Sequence, residues 1–277
     1  MPFRTAPPSP RTQIGQWGLK YDREGFILMP EWPSDGAEVW SNGKSKSEIM
    51  MTDSNVAVIF DPHADDADWW TGGLSLLLIE RGWKIHYVCV GPSPNGMRSR
   101  AKASAKILGV SRHFLDIAIN GNGKLEHDLR KTIPPLISDL NARLIFIPSL
   151  TDYHQEHVTL SQVLLQLFHW SAGTGLRSAE VYAYDSHENR DPVEIYIDVS
   201  TVWDKHIESL QCHALKISLT RSKTGRAMVL GASIPSDPVL YAEGYRLLQG
   251  DVKNISSLCS VLPEMFFYRN PHGLLSM

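Results

Sequence analysis

NVAVIFDPHADDADWWTGG, residues 55–73, runs from an unbroken apolar stretch into one histidine and four aspartates, then through two tryptophans to a pair of glycines. VAVIF (56–60) has the β-branched, continuously apolar character of a strand covered on both faces, as in a parallel sheet. Unpaired carboxylates at the dry end of such a strand would cost several kcal/mol. The segment therefore predicts a compensating group close to His63, Asp65 and Asp66. Gly72 and Gly73 fit a tight strand-to-helix connection, where the backbone approaches a ligand or the sheet.

Outward from this stretch, short apolar runs alternate with amphipathic segments, the pattern of βαβ units and a parallel sheet. KIHYVCV (84–90), RHFLDI (112–117) and RLIFIPS (143–149) read as further strands. Helices are expected over GGLSLLLIERG (72–82), RSRAKASAKILG (98–109) and KLEHDLRKTIPPLISDL (124–140), and Pro134 and Pro135 should bend or break the last. After TDYHQEH (151–157) come a helix, VTLSQVLLQLFHW (158–170), and two strand-like runs, EVYAYDS (180–186) and EIYIDVS (194–200). A helix through WDKHIESLQCHALK (203–216), a Gly/Ser/Pro-rich loop from 220 to 238 and a short helix at YAEGYRLL (241–248) complete the pattern. The expected fold over residues 54–277 is α/β, a Rossmann-like, mostly parallel sheet flanked by helices on both faces. Residues 1–53 read as an extension, loose over 1–12. Trp17, Tyr21, Phe26, Ile27, Trp32 and Trp40 then give it enough apolar surface to pack on the domain or on a neighbouring subunit, which leaves a homo-oligomer open.

The bulk properties narrow the function. Of 277 residues, 43% are hydrophobic and 21% charged, with a formal net charge of -3, which gives no basic face for nucleic acid. Three scattered cysteines without a CxxC argue against a disulfide framework or a thiolate zinc site. No apolar run reaches the roughly 18 residues of a membrane span, and the start, MPFRTAPPSPRTQ, lacks the apolar core of a secretory signal. A cytoplasmic protein without nucleic-acid or membrane partners is expected.

In an open parallel sheet, ligands bind outside the carboxyl ends of the strands. DPHADD leaves the first strand there and TDYHQEH leaves the fourth. Neighbouring strands would join the two clusters in one crevice. His63, one of Asp65 and Asp66, and one of His154 and His157 would form a two-His, one-carboxylate metal set, with the second aspartate free to act as a base.

These pieces resemble the PIG-L (LmbE-like) family of zinc-dependent N-deacetylases. The family's first motif, commonly AHPDDE followed by GG, is matched by PHADDADWWTGG (62–73), and its second, commonly HPDH, by HQEH (154–157). More weakly, AKILGV (105–110) is similar to the family's helix ending in LG, and DKHIESLQCHALK (204–216) to its Lys- and His-bearing C-terminal helix. YAEGYRL (241–247) is similar to a segment of diacetylchitobiose-type deacetylases. The resemblance implies that His63, Asp66 and His157 hold one Zn2+ or another divalent metal. Asp65 would be the general base and His154 the general acid, with Glu156 replacing the usual Asp that orients it. The implied reaction is removal of an acetyl group from an N-acetylglucosamine-type sugar or small glycoconjugate by metal-activated water. Ala64 and Ala67 depart from the usual Pro and Glu, and Asp152 stands where a tyrosine is often found, with Tyr153 beside it.

Simpler roles compete with these. One aspartate could merely cap a helix, and Trp69, offered as a sugar-stacking residue, also suits a core position. Arg98 could reach the substrate or sit on a solvated helix face, and His213 could lie on a helix surface. His86, His113, His127, His169, His187 and His206 read as structural. Two rival functions remain. Asp61-Pro62-His63 is the DxH opening of a metallophosphoesterase, but the later GNG (121–123) lacks that class's histidine. A non-catalytic sugar-binding relative is the other, and a base retained beside a metal set argues against it.

Overall fold

The structure, a computed structural model, describes residues 55–119, 124–170, 179–186, 192–213, 217–234, 239–249, 257–262 and 264–268, together with three two-residue strands near the start. The chain divides into two compact units, Met1–Met50 and Met51–Met277. In the first, β1 (Gln13–Ile14), β2 (Lys20–Tyr21) and β3 (Ile27–Leu28) pair antiparallel in sequence order. The expectations for the rest of residues 1–53, Trp17, Trp32 and Trp40 included, lie outside the described residues, as do the GNG at 121–123 and His187.

The second unit is built on one eight-stranded sheet. Its strands are β4 (Val56–Asp61), β5 (Lys84–Cys89), β6 (Ser111–Phe114), β7 (Leu144–Pro148), β8 (Glu180–Tyr184), β9 (Ile195–Asp198), β10 (Ala242–Gln249) and β11 (Phe266–Tyr268). Their spatial order is β11-β9-β10-β8-β7-β4-β5-β6, parallel from β6 through β8 and antiparallel from β10 outward. The chain moves from β4 to β5 and β6 on one side, then returns to place β7 against the other edge of β4. That reversal between β4 and β7 is the topological switch point, where such sheets open a crevice.

Two apolar layers cover the sheet. Ala57 and Ile59 of β4 face a core shared with α1 (Asp66–Glu80) and α5 (Trp203–Gln211), with Leu108 of α2 (Asn95–Leu108) in the same cluster. Val56, Val58 and Phe60 face the opposite core, filled by α3 (Lys124–Leu140) and α4 (Gln155–Trp170). All six residues of β4 are buried. Each large aliphatic side chain so covered contributes about 1.5–3 kcal/mol relative to exposure.

Four local expectations are corrected. Helix α3 does not break at Pro134 and Pro135. Leu125, Leu129, Ile133 and Ile137 form a buried i, i+4 stripe, whereas Pro134 is half-buried and Pro135 exposed, so water can reach the side where hydrogen bonds are lost. The loop expected from 220 to 238 is largely helix α6 (Ile217–Ala232), because Lys223, Ala227, Leu230 and Ile234 recur at helical spacing and are buried. The helix expected at 241–248 is instead β10, hydrogen-bonded on both edges, with Tyr245 opposite Tyr184 of β8 and Ile195 of β9. Two partner strands override a local sequence of helix-forming residues. Finally, Gly72 and Gly73 lie inside α1 rather than at its entrance: a Cβ on Gly72 would stand 2.5 Å from the His206 ring, and one on Gly73 would stand 2.7 Å from Val199.

Candidate active site at the β4/β7 switch point

Residues 62–65 leave β4 and enter α1, while residues 149–154 leave β7 and enter α4. Because β4 and β7 are hydrogen-bonded neighbours, the two clusters separated by some ninety residues meet at the carboxyl edge of the sheet. One ligand atom each from His63, Asp66 and His157 lies within 4.8 Å of the others. Asp66 Oδ2 is 3.0 Å from His63 Nδ1 and 3.2 Å from His157 Nε2. His154 joins the group through its ring, with centroids 5.3 Å from His63 and 5.1 Å from His157.

Each of the two ligand-type histidines has a carboxylate on its other nitrogen. Asp152 Oδ2 lies 2.9 Å from His157 Nδ1, and Glu156 Oε2 lies 2.6 Å from His63 Nε2. Ser186, just past β8, donates its hydroxyl to Asp152, and the His154 backbone N–H donates to Asp152 Oδ1 at 2.8 Å. Glu156 thus engages His63, although the resemblance assigned it to His154; ligand-type atoms of His63, His154 and Glu156 also lie within 4.8 Å of one another. Asp152 escaped the sequence reading, which noted it only as a missing tyrosine. A carboxylate between a strand end and an HxxH was the available signal, since metal-binding histidines are commonly oriented this way.

The electrostatics are those of a proton-filled ligand set. Burial opposes ionisation of Asp66, but hydrogen bonds from His157 and His63 hold its carboxyl well below the usual carboxylate range. Hydrogen bonding to Asp66 raises His63 to about 9 against the effect of burial. Burial lowers His157, yet Asp152 and Asp66 outweigh it and bring the imidazole to about 10. Two imidazole nitrogens and one carboxylate, braced from behind, match the donor set of a divalent metal such as zinc.

Asp65 sits at the N-cap of α1, but its side chain makes no capping hydrogen bond. The capping explanation therefore does not account for it. It is half-buried, and burial, reinforced by repulsion from Asp66, raises its pKa while His213 and His63 pull the other way. That environment suits a carboxylate that must accept a proton.

The remaining two aspartates are compensated differently. Arg112, on edge strand β6, reaches Asp61 Oδ2 at 3.0 Å, Asp68 Oδ2 at 2.5 Å and the Ala64 carbonyl at 2.8 Å, all buried. His213 Nε2 lies 3.0 Å from Asp68 Oδ2 and Ser104 donates to Asp68 Oδ1 at 2.9 Å, so His213 is a buried network member rather than a surface residue. No motif marks Arg112; only the edge pairing of β6 on β5 brings it under the loop.

The two residues offered for substrate contact have local partners of their own. Arg98 pairs with Asp116, donates to the Ser93 carbonyl at 2.9 Å and stacks on Phe114 at 5.0 Å. Trp69 packs against the core beside Trp70. Among the other histidines, His206 is buried against α1, its Nε2 2.7 Å from the Asp68 carbonyl, and His86 Nδ1 lies 3.0 Å from His113 Nε2. His127 and His169 are exposed.

Comparison with known proteins agrees with this arrangement. The family model for PIG-L, described as GlcNAc-PI de-N-acetylase, matches residues 58–168, the span from β4 through α4 that contains both clusters. A 4-oxalmesaconate hydratase of Pseudomonas putida strain KT2440 is 25% identical over 232 residues, covering 70% of this chain and 90% of that protein. Among solved structures, a 4-carboxy-2-hydroxymuconate hydratase of Pseudomonas putida KT2440 is similar in fold (TM-score 0.62, 21% identity, 73% of this chain and 99% of that one). So is the N,N'-diacetylchitobiose deacetylase of Pyrococcus horikoshii (TM-score 0.59, 18% identity, 76% and 89%). Among the described residues no helix is long and apolar enough to cross a membrane. The matched span carries every member of the His/Asp group at the switch point, so over residues 58–168 this chain is similar to the PIG-L family.

Proposed function

We propose that the protein is a metal-dependent hydrolase that removes an acetyl group from the nitrogen of an N-acetylglucosamine-type sugar or small glycoconjugate. The observation that carries this reading is the convergence of His63, Asp66 and His157 within 4.8 Å, with the His154 ring against that of His157 and Asp65 directly before Asp66 without a capping role. A Zn2+ ion, or another divalent metal, held by these three residues would acidify a water and polarise the substrate carbonyl. Asp65 takes the proton from the attacking water. His154, carrying a proton, stabilises the negative oxygen that develops on the carbonyl and then protonates the departing amine. Asp152 and Glu156 keep the two ligand imidazoles in the tautomer that presents a nitrogen to Asp66.

A second reading rests on the hydratase of Pseudomonas putida, which this chain matches over 90% of that protein's length. The same residues would add water across the activated double bond of an unsaturated carboxylic acid, Asp65 deprotonating the water and His154 protonating the carbon that becomes carbanionic. The two readings are separated by incubating zinc-loaded protein with a panel of N-acetylated amino sugars and, in parallel, with unsaturated di- and tricarboxylates. Acetate and free amine appear under the first. Loss of the conjugated acid's ultraviolet absorbance without acetate appears under the second and overturns the first.

A further inference from the structure

Arg226 lies on α6 and is tied by two hydrogen bonds to Asp185, the residue directly after β8. Its Nε reaches Asp185 Oδ2 at 2.9 Å and its Nη2 reaches Oδ1 at 2.8 Å. The Asp185 side chain is 2% exposed, whereas that of Arg226 is 37% exposed. Among the described residues Nη1 makes no hydrogen bond, so one edge of the guanidinium is oriented and presented outward. The next residue, Ser186, bonds to Asp152, which in turn holds His157. Arg226 is therefore anchored at the carboxyl edge of β8, beside β7 and two strand spacings, roughly 10 Å, from the end of β4 that carries His63 and Asp66.

We propose that Arg226 is a specificity-determining residue that binds an anionic group of the substrate, a carboxylate or a phosphate, at the far end of this crevice. The planar fork suits two anionic oxygens. Its fixing by a buried carboxylate removes much of the side-chain ordering that binding would otherwise require. Asp185, which holds Arg226, ends β8 at the same sheet edge from which the β4 and β7 loops leave, so the favoured substrate carries its charge on the order of 10 Å from the bond to be attacked. This rests on the proposed function only for the location of the reacting centre, because an anion is equally compatible with an acidic N-acetyl sugar and with an unsaturated polycarboxylate.

The test is calorimetric titration of zinc-loaded protein with four probes: N-acetylmuramic acid (carboxylate), N-acetylglucosamine 1-phosphate (phosphate), cis-aconitate (polycarboxylate) and neutral N-acetylglucosamine. At least one anionic probe should bind more tightly than the neutral one. Arg226→Gln should weaken that probe by about 10- to 100-fold, the scale of a hydrogen bond to a charged group, with neutral binding and zinc content unchanged. Arg226→Lys, which keeps the charge but not the fork, should restore only part of the affinity. The proposal is overturned if no anionic probe binds, if the anionic probes show no advantage over the neutral one, or if Arg226→Gln weakens all probes alike. Acetate release distinguishes its fate from that of the deacetylase reading. An anionic preference without acetate leaves Arg226 in place and refutes deacetylation, and acetate with no such preference does the reverse.

Discussion

Residues 61–68 hold four aspartates, and the fold divides them two and two. Asp61 and Asp68 are sealed beneath the loop against Arg112, with His213 and Ser104 completing the pairing of Asp68. Asp66 meets His63 and His157, and Asp65, half-buried beside it, feels Asp66, His213 and His63. The same residue type a few positions apart thus serves two purposes. A guanidinium keeps its charge at any ordinary pH, so Arg112 stays a fixed anchor for the lower pair beneath the loop. Imidazoles can give up their protons, so the upper pair can exchange protons for a metal ion. Burial still raises Asp61 to about 7 despite Arg112, which shows how much desolvation the lower pair must overcome.

The largest effect that would sharpen this contrast is at the upper pair. His157→Ala removes a ligand-type imidazole and should lower bound zinc to background and activity by more than about 1,000-fold, measured by metal analysis and turnover. Asp65→Asn should instead keep its zinc while losing about 100- to 10,000-fold in turnover, the usual range for a general base. If Asp65→Asn empties the site and Asp66→Asn leaves it metal-replete, the ligand and the base have been assigned the wrong way round.

The lower pair should respond in stability. Arg112→Met strips Asp61 of its cation and leaves Asp68 only His213 and Ser104, which costs about 3–5 kcal/mol where a buried ion pair is broken. Thermal unfolding should drop accordingly, and an unchanged melting temperature would contradict the fixing role. The pH dependence comes next. In the metal-free protein His63 and His157 are raised above the ordinary value of 6.5, to about 9 and about 10. Their contribution to folding stability is therefore complete below about pH 6.5 and is lost as pH rises through 9–10. Zinc must displace those protons, so its apparent affinity should increase from pH 6 to 8 and proton release should accompany uptake in weakly buffered solution. Uptake without proton release would show that the imidazoles are already neutral. The smallest effect is expected at Arg98→Ala, where a partly exposed ion pair with Asp116 is worth about 0–1 kcal/mol. KM should not move; a several-fold rise would return Arg98 to the substrate.

The sequence by itself determined the strand–helix alternation from 56 to 170, the mostly parallel sheet and the two charged clusters at strand ends, because hydrophobic periodicity and strand-end chemistry are local properties. Beyond residue 200 local reading failed twice, at α6 and at β10. There the outcome depends on neighbours: Tyr245 lies between two strands, and Lys223 is buried 3.9 Å from Glu243. The same limit applied inside the site. HxDD and HxxH mark which residues carry the chemistry, but no spacing in the chain shows that Asp152 braces His157, that Glu156 turns to His63, or that Arg112 crosses from an edge strand to neutralise Asp61 and Asp68. Asp152 and His157 lie five residues apart but meet only through the fold of the loop that leaves β7. The other pairings join side chains tens of residues apart that only the packing of β7 against β4 and of β6 against β5 brings within hydrogen-bonding reach.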